Sequence, residues 1–404
     1  MKCGMRALFL SDLETRGGAA IAASRLARGL CGLNVDVTRL FGVHSTEPFF
    51  EPKPWKSVYG GFPRAVEVAL NGMKRGAPGV AAEAGRVIAT HQLHGELSRQ
   101  SFDVLHAHAL HNSSWDHRAL RALDPDLPTV WTFHDHWGFS PESYLFRDGA
   151  GVERRLKPDG PDRASALRER RDYFKSRRRL RLVANSVHTA RYATECLDLP
   201  VEVVHYGLPL DLFNPLPKDV ARRALQLPQQ GWFIGFSSDS NADPVKGFDV
   251  LRGALELSGL RARAIAMGSA EPREYTAGEV SVRLLGRVDN PLFQSIVYSA
   301  CDLFVVPSRA EALGLVAMES VSCGTPVVAS NVGGLPDVVL AGRSGWLFEA
   351  GHTEGLAERL RYLESTRDEV SAVAAKCRSL AESAWTLERQ AQRYLQIYRE
   401  LGCA

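Results

Sequence analysis

The stretch from Leu303 to Ser330, LFVVPSRAEALGLVAMESVSCGTPVVAS, admits few architectures. An apolar run ends at Pro307 and a turn carries Glu311 and Gly314. A short helix is predicted from about Leu315, and Gly324 and Pro326 stop it before Val327 and Val328. Strand, loop, helix and strand in that order form a βαβ crossover. A helix that starts just beyond the carboxyl end of a buried strand points unpaired N–H groups at the crevice, so Gly314, Leu315 and Val316 are placed to hold a phosphate. Glu311 lies in the loop before that helix. Glu319 lies one turn inside it, where a carboxylate accepts from two neighbouring hydroxyls, as acids do on a ribose. Taken singly, each glutamate would read as a surface residue.

Glutamates spaced as Glu311 and Glu319 are, between the Pro307-Ser308 strand end and the segment Gly324-Thr325-Pro326-Val327-Val328-Ala329-Ser330, resemble the signature of the retaining GT-B glycosyltransferases of family 4. The segments Asn331-Val332-Gly333-Gly334-Leu335-Pro336-Asp337 and Gly345-Trp346-Leu347 continue the likeness. The resemblance implies an α/β, GT-B fold of two Rossmann-like domains facing across a cleft. An acceptor-side domain would span 1–207 and a nucleotide-sugar-binding domain 208–384, and a helix over 385–404 would cross back to the first. It also implies that Glu311 meets hydroxyls of the donor sugar, Glu319 the ribose, and the amides of residues 314–316 the diphosphate.

A chain of 404 residues is long enough for two α/β domains, each with its own core. A net charge of +3 is too small to argue for nucleic acid. Seven cysteines, with no CxxC pair, suit a reducing cytosol better than a disulfide framework or zinc site. The apolar run Ala7–Leu10 is too short for a signal peptide or a membrane span, so a soluble cytoplasmic protein is expected.

In chain order, Ala7–Leu10 reads as a first buried strand, and Gly17-Gly18 opens a helix to about Cys31. Glycines there let backbone approach a ligand, although a lone Gly-Gly also fits a plain strand-to-helix turn. Family members carry a glycine-rich loop here, facing the donor diphosphate and the acceptor. Asn34–Leu40 is a second strand. Residues from about Ser45 to Gly85, with Pro48, Pro52, Pro54, Pro63 and Pro78, predict loops and short helices rather than a continuous element. Strands Val104–His108 and Thr129–Phe133 release histidines at their carboxyl ends, where open α/β sheets place reactive groups. His106, His108, His111, His134 and His136 supply no closed metal-ligand set. The last segment resembles the family's THD-like turn, which puts His134 at the transfer site, touching donor sugar or acceptor.

The basic segment from Arg163 to Arg181 predicts a helix with a cationic exposed side. Three uses compete for it. A solvated face ranks first, peripheral contact with the inner face of a membrane second, and an anionic acceptor remains open. Further on, Lys246-Gly247 resembles the family's KG element, whose lysine contacts donor phosphate. The family places an arginine a few residues earlier and Ser237–Pro244 has none, so Ser238 or Arg287 would have to compensate. Gly286-Arg287-Val288 resembles the stretch that reads the nucleobase. Trp385 is taken as the start of the closing helix, whose apolar stripe carries Leu387, Tyr394, Leu395, Ile397 and Tyr398.

The family likeness thus implies a retaining, metal-independent transferase without a cofactor, moving a hexose-type sugar from a nucleotide sugar, UDP by default, to a hydroxyl acceptor. Polysaccharide, glycolipid and secondary-metabolite synthesis are the settings considered. Its rivals are a catalytically silent nucleotide-sugar-binding GT-B protein, a sugar-phosphate synthase or phosphorylase, and a dinucleotide-dependent oxidoreductase, which the incomplete glycine fingerprint disfavours.

Overall fold

The computed structural model describes residues 4–15, 17–43, 51–59, 78–108, 110, 120–121, 123–140, 145–147, 153–155, 163–238, 244–268 and 271–403. Two seven-stranded sheets carry the chain. The first is built from β1 (Arg6–Leu13), β2 (Asp36–Val43), β3 (Lys56–Tyr59), β4 (Val104–His108) and β5 (Thr129–Phe133). A short antiparallel ribbon of β6 (Leu145–Arg147) and β7 (Glu153–Arg155) intervenes before β8 (Leu180–Ala184) and β9 (Val201–Val203) complete the sheet. Its order is β3-β2-β1-β4-β5-β8-β9 and every pairing is parallel.

The second sheet contains β10 (Phe233–Ser238), β11 (Arg263–Gly268), β12 (Arg273–Ala277), β13 (Val280–Leu284), β14 (Leu303–Val306), β15 (Val327–Ser330) and β16 (Gly345–Phe348). The order is β12-β13-β11-β10-β14-β15-β16, parallel except for the β12 edge. Parallel strands need cover on both faces, which explains why β4, β5, β14 and β15 are buried from end to end.

The helix Leu387–Glu400 returns to the first sheet. Ala391, Tyr394, Ile397 and Tyr398, spaced three and four apart, enter a core with Phe9, Leu26, Leu30 and Val183. The crossing is close: a Cβ added to Gly29 would lie 2.7 Å from the carbonyl oxygen of Leu387. Trp385 does not open this helix. It is the buried C-cap of the helix Arg367–Ala384, and Thr386 caps the next one by accepting from the Arg389 N–H at 3.1 Å. Between the sheets, the Leu208 N–H donates to the Trp385 carbonyl at 2.8 Å, so the two connecting strands of chain run side by side.

Two stretches differ from the sequence reading. Lys56–Tyr59 is an edge strand, and Pro78–Arg99 is one helix of 22 residues. Pro78 occupies its first position, where the missing N–H costs nothing and the fixed φ suits a helix. The remaining prolines from 48 to 63 and His111 are a mixture. Pro48, Pro63 and His111 lie outside the described residues, whereas Pro52 and Pro54 are exposed beside the buried Trp55.

Candidate active site

The carboxyl ends of both sheets meet around the loop 307–314. Arg309 fastens the Lys246 turn to this loop. Its guanidinium donates to both oxygens of Asp249 at 2.8 and 2.6 Å and to the Pro244 carbonyl at 2.8 Å. That guanidinium, through its hydrogen bonds, holds the Asp249 carboxyl below the usual carboxylate range. Gly247 is needed for the fit: its φ is +65°, and a Cβ there would fall 1.9 Å from the Pro307 carbonyl oxygen. The result is that Lys246 Nζ sits 2.8 Å from Glu311 Oε2, with side chains 33% and 15% exposed.

Glu311 is fixed from its other side by Gly333 and Gly334. Gly333 has φ +54° and would place a Cβ 1.7 Å from the Glu311 carbonyl oxygen, and the Gly334 N–H donates to that same oxygen at 3.1 Å. Asp337, in the same segment, reaches the first sheet's side of the cleft. It accepts from the Val187 N–H at 2.7 Å and lies 2.9 Å from His205 Nε2. A carboxylate at the first turn of the helix Val187–Leu197 is favoured by the helix dipole.

The helix Leu315–Ser322 begins after Gly314, so its first-turn amides have no partner within the helix. Opposite stands the Gly17-Gly18 turn at the start of the helix Gly18–Gly32. A Cβ added to Gly18 would lie 3.6 Å from Leu315 Cδ1. The two candidate diphosphate elements are therefore neighbours across the cleft.

Glu319 is buried, and its Oε1 accepts from Arg25 Nη1 at 2.9 Å while Oε2 accepts from the Tyr298 hydroxyl at 3.1 Å. Arg25 also donates from Nε to Glu51 at 3.0 Å and lies 5.0 Å over the Phe213 ring. Burial pushes the Glu319 carboxyl up, and Arg25 and the Tyr298 hydroxyl pull it back. Burial also works against the Arg25 charge, but Glu51 and Glu319 more than restore it. Arg25 thus keeps its charge between the two acids. Sequence reasoning missed Arg25 and Glu51, whose only local signals are an arginine on an amphipathic helix and a glutamate among prolines.

His134 sits deeper than the sequence reading requires, at 8% exposure. Asn185 Nδ2 donates to the His134 carbonyl at 3.1 Å, which fixes the amide's orientation, and to the Tyr206 hydroxyl oxygen at 2.8 Å. The Tyr206 hydroxyl also lies 2.7 Å from His134 Nδ1, and His134 Nε2 lies 3.0 Å from His108 Nδ1. Both ring nitrogens of His134 lie within hydrogen-bond distance of interior groups, the Tyr206 hydroxyl and His108. His106 bridges the Tyr398 hydroxyl at 2.6 Å and Thr132 Oγ1 at 2.8 Å. Burial first, and then the neighbouring imidazoles, hold His106 and His108 well below the usual histidine range. Among the described residues no group of three His, Cys, Asp or Glu is arranged to hold a metal ion.

Other sequence-selected residues have different surroundings. Arg287 pairs with Asp289 at 2.9 Å, and the Val288 carbonyl accepts from Gln294 Nε2 at 2.8 Å. The side chain of Ser238 and residues 239–243, where the family arginine is expected, lie outside the described residues. The basic segment is not simply a solvated face. Arg170 donates to the Trp137 carbonyl at 2.6 Å and stacks on that indole, and Arg177 donates to the carbonyls of Leu123 and Leu127 at 3.1 Å. Arg171 and Lys175 meet Asp198, Arg178 meets Asp126, and Arg179 meets the Leu401 carbonyl. No helix among the described residues is long and apolar enough to cross a membrane.

Comparisons with known proteins agree with this fold. Residues 16–212 match the model of Glycosyltransferase Family 4, and residues 233–365 that of Glycosyl transferases group 1. A D-inositol 3-phosphate glycosyltransferase of Catenulispora acidiphila is 32% identical over 74% of this chain and 72% of its own length. The corresponding protein of Thermobispora bispora is 37% identical over 54% of this chain and 56% of its own length. Among solved structures, sucrose-phosphate synthase from Thermosynechococcus elongatus superposes with a TM-score of 0.73 at 17% identity, covering 98% of this chain and 99% of its own. HepE from Anabaena, in complex with UDP and glucose, gives a TM-score of 0.66 at 20% identity, covering 97% of this chain and 98% of its own. With matches to both halves and a 32% identical relative covered over 72% of its length, the chain belongs to the family-4, group 1 glycosyltransferases and has their GT-B fold.

Proposed function

We propose that this chain transfers a sugar from a nucleoside diphosphate sugar, UDP-linked by default, to a hydroxyl of a small polar acceptor, with retention at the anomeric carbon and without a metal ion. The observation that carries the reading is the Lys246–Glu311 pair at 2.8 Å, beside the helix start at Gly314 and facing Gly17-Gly18. Breaking the bond from the anomeric carbon to phosphate gathers positive charge on the sugar and negative charge on the departing diphosphate. Lys246, the amides at 314–316 and the Gly17-Gly18 turn answer the second charge. When Lys246 turns to phosphate, Glu311 is released to accept from donor-sugar hydroxyls. Glu319 takes the ribose.

Retention follows if the acceptor oxygen bonds the anomeric carbon on the face the phosphate leaves, the acceptor's proton passing to a leaving phosphate oxygen. Once released by Lys246, Glu311 serves as a hydroxyl acceptor for the donor sugar, and no carboxylate pair is assigned to a double displacement. The sequence relatives are named for D-inositol 3-phosphate, which makes a phosphorylated cyclitol the first acceptor to try, ahead of a polysaccharide, glycolipid or secondary metabolite. The test is product analysis with UDP-glucose, UDP-N-acetylglucosamine and GDP-mannose against inositol phosphates and simple sugars, with and without EDTA. An α-linked product from an α-linked donor, formed equally in EDTA, is expected. A β-linked product would refute retention, loss of product in EDTA would refute metal independence, and binding without turnover would mark a silent nucleotide-sugar-binding protein.

A further inference from the structure

The second domain supplies Glu311, Glu319, Lys246 and the helix amides, yet the closest partner of Glu319 comes from the first. Arg25 lies on the helix Gly18–Gly32, its side chain 3% exposed against 8% for Glu319, and their 2.9 Å contact joins residues 294 positions apart. A charge removed this completely from water requires a partner. Arg25 has two, Glu51 and Glu319, and its plane rests on Phe213.

We infer that Arg25 is a positioning residue for the nucleoside half of the site: the first domain holds Glu319 as an oriented carboxylate, so that the ribose is recognised only when the two domains are together. The inference rests on the proposed assignment of Glu319 to the ribose. A carboxylate offers about four acceptor positions. Arg25 uses one on Oε1 and the Tyr298 hydroxyl one on Oε2, which leaves a position on each oxygen, the pattern a pair of adjacent hydroxyls requires. The groups around Glu319 are Arg25, Glu51, Tyr298 and, at the end of its own helix, Cys323. Only Arg25 is cationic. Removing it would leave Glu319 buried without a cation, which pushes its carboxyl further up, favours the protonated acid and gives up an acceptor position.

The experiment uses the full chain and measures the affinity of UDP and of 2′-deoxy-UDP by calorimetry from pH 6 to pH 9. Arg25→Met is compared with Glu319→Gln. Because Arg25→Met alone strips the charge from two buried acids, Arg25→Met combined with Glu51→Gln is made as well, since removing one cation with one anion leaves the net charge of the triad unchanged. The unaltered chain should prefer UDP over the deoxy compound by about tenfold or more, as expected for a hydrogen bond to a charged group. Both Arg25→Met variants should lose that preference at the acid end of the range and regain part of it as pH rises and Glu319 ionises. Glu319→Gln should lack it at every pH. Preference retained in Glu319→Gln, or no preference for the ribose form in the unaltered chain, overturns the ribose assignment and this inference with it. Preference lost in Glu319→Gln but kept, without pH dependence, in the Arg25 variants overturns this inference alone.

Discussion

Acid should loosen the first domain well before carboxylates titrate. His136 is buried against Phe139, His188 and Tyr192, and its pKa is lowered to about 4, by burial first and then by His188, with Asp135 opposing. In the unfolded chain it returns to about 6.5. A depressed folded pKa means that this stability is present above pH 6.5 and is lost as pH falls towards 4. A difference of about 2.5 units corresponds to about 3 kcal/mol, of which about 2 kcal/mol is gone by pH 5. His106 and His108, held neutral by burial, add to the loss in the same window. The assay is urea unfolding at pH 7, 6 and 5, followed by the fluorescence of the first domain's tryptophans, Trp131 and Trp137 among them, with His136→Gln alongside. The variant should show the flatter pH slope. Equal stability at pH 7 and pH 5, or an identical slope in the variant, would refute the claim that buried neutral imidazoles brace this sheet.

Three other perturbations probe the site and its supports. Lys246→Met should lower kcat/KM by about two to three orders of magnitude, the usual cost of removing a charge aimed at a transition state, while an ion pair this exposed contributes at most about 1 kcal/mol to stability. Steady-state kinetics with thermal melting checks both parts, and near-normal turnover would contradict the role of Lys246. Gly333→Ala should abolish donor binding, because φ +54° and a contact of 1.7 Å to the Glu311 carbonyl force the loop to move; unchanged donor affinity would show that the loop tolerates a side chain. Tyr398→Phe removes a buried 2.6 Å partner of His106 and should cost about 1–3 kcal/mol in chemical unfolding, with little effect on kcat.

What the sequence disclosed was chiefly local. The crossover from Leu303 to Ser330 reads correctly because its strands, helix start and stops are set by near neighbours and by Gly314, Gly324 and Pro326. The Lys246 turn and Gly333-Gly334 were recognisable through the family likeness alone, and the ion pair to Glu311 spans 65 positions, so only the fold brings it together. The relations that govern the cleft are distant. Arg25 finds Glu319 across 294 positions, and His106 finds Tyr398 across 292. Nothing near Arg25 marks it as more than a helix arginine. Arg170 and Arg177 looked solvated because their partners are backbone carbonyls, which every sequence has everywhere. Pro78 misled through its residue type, since proline both breaks helices and begins them.

The reading of this cleft as a sugar-nucleotide site is tested most directly by a thermal-shift titration with UDP-glucose, GDP-mannose and NAD, run on the unaltered chain and on Glu319→Gln. A ligand that binds only the folded state at 100 times its Kd stabilises it by about 2.7 kcal/mol. The account predicts a rise in Tm with one sugar nucleotide, none with NAD, and a clearly smaller rise in Glu319→Gln. A rise with NAD alone, or the same rise in both proteins, would contradict it.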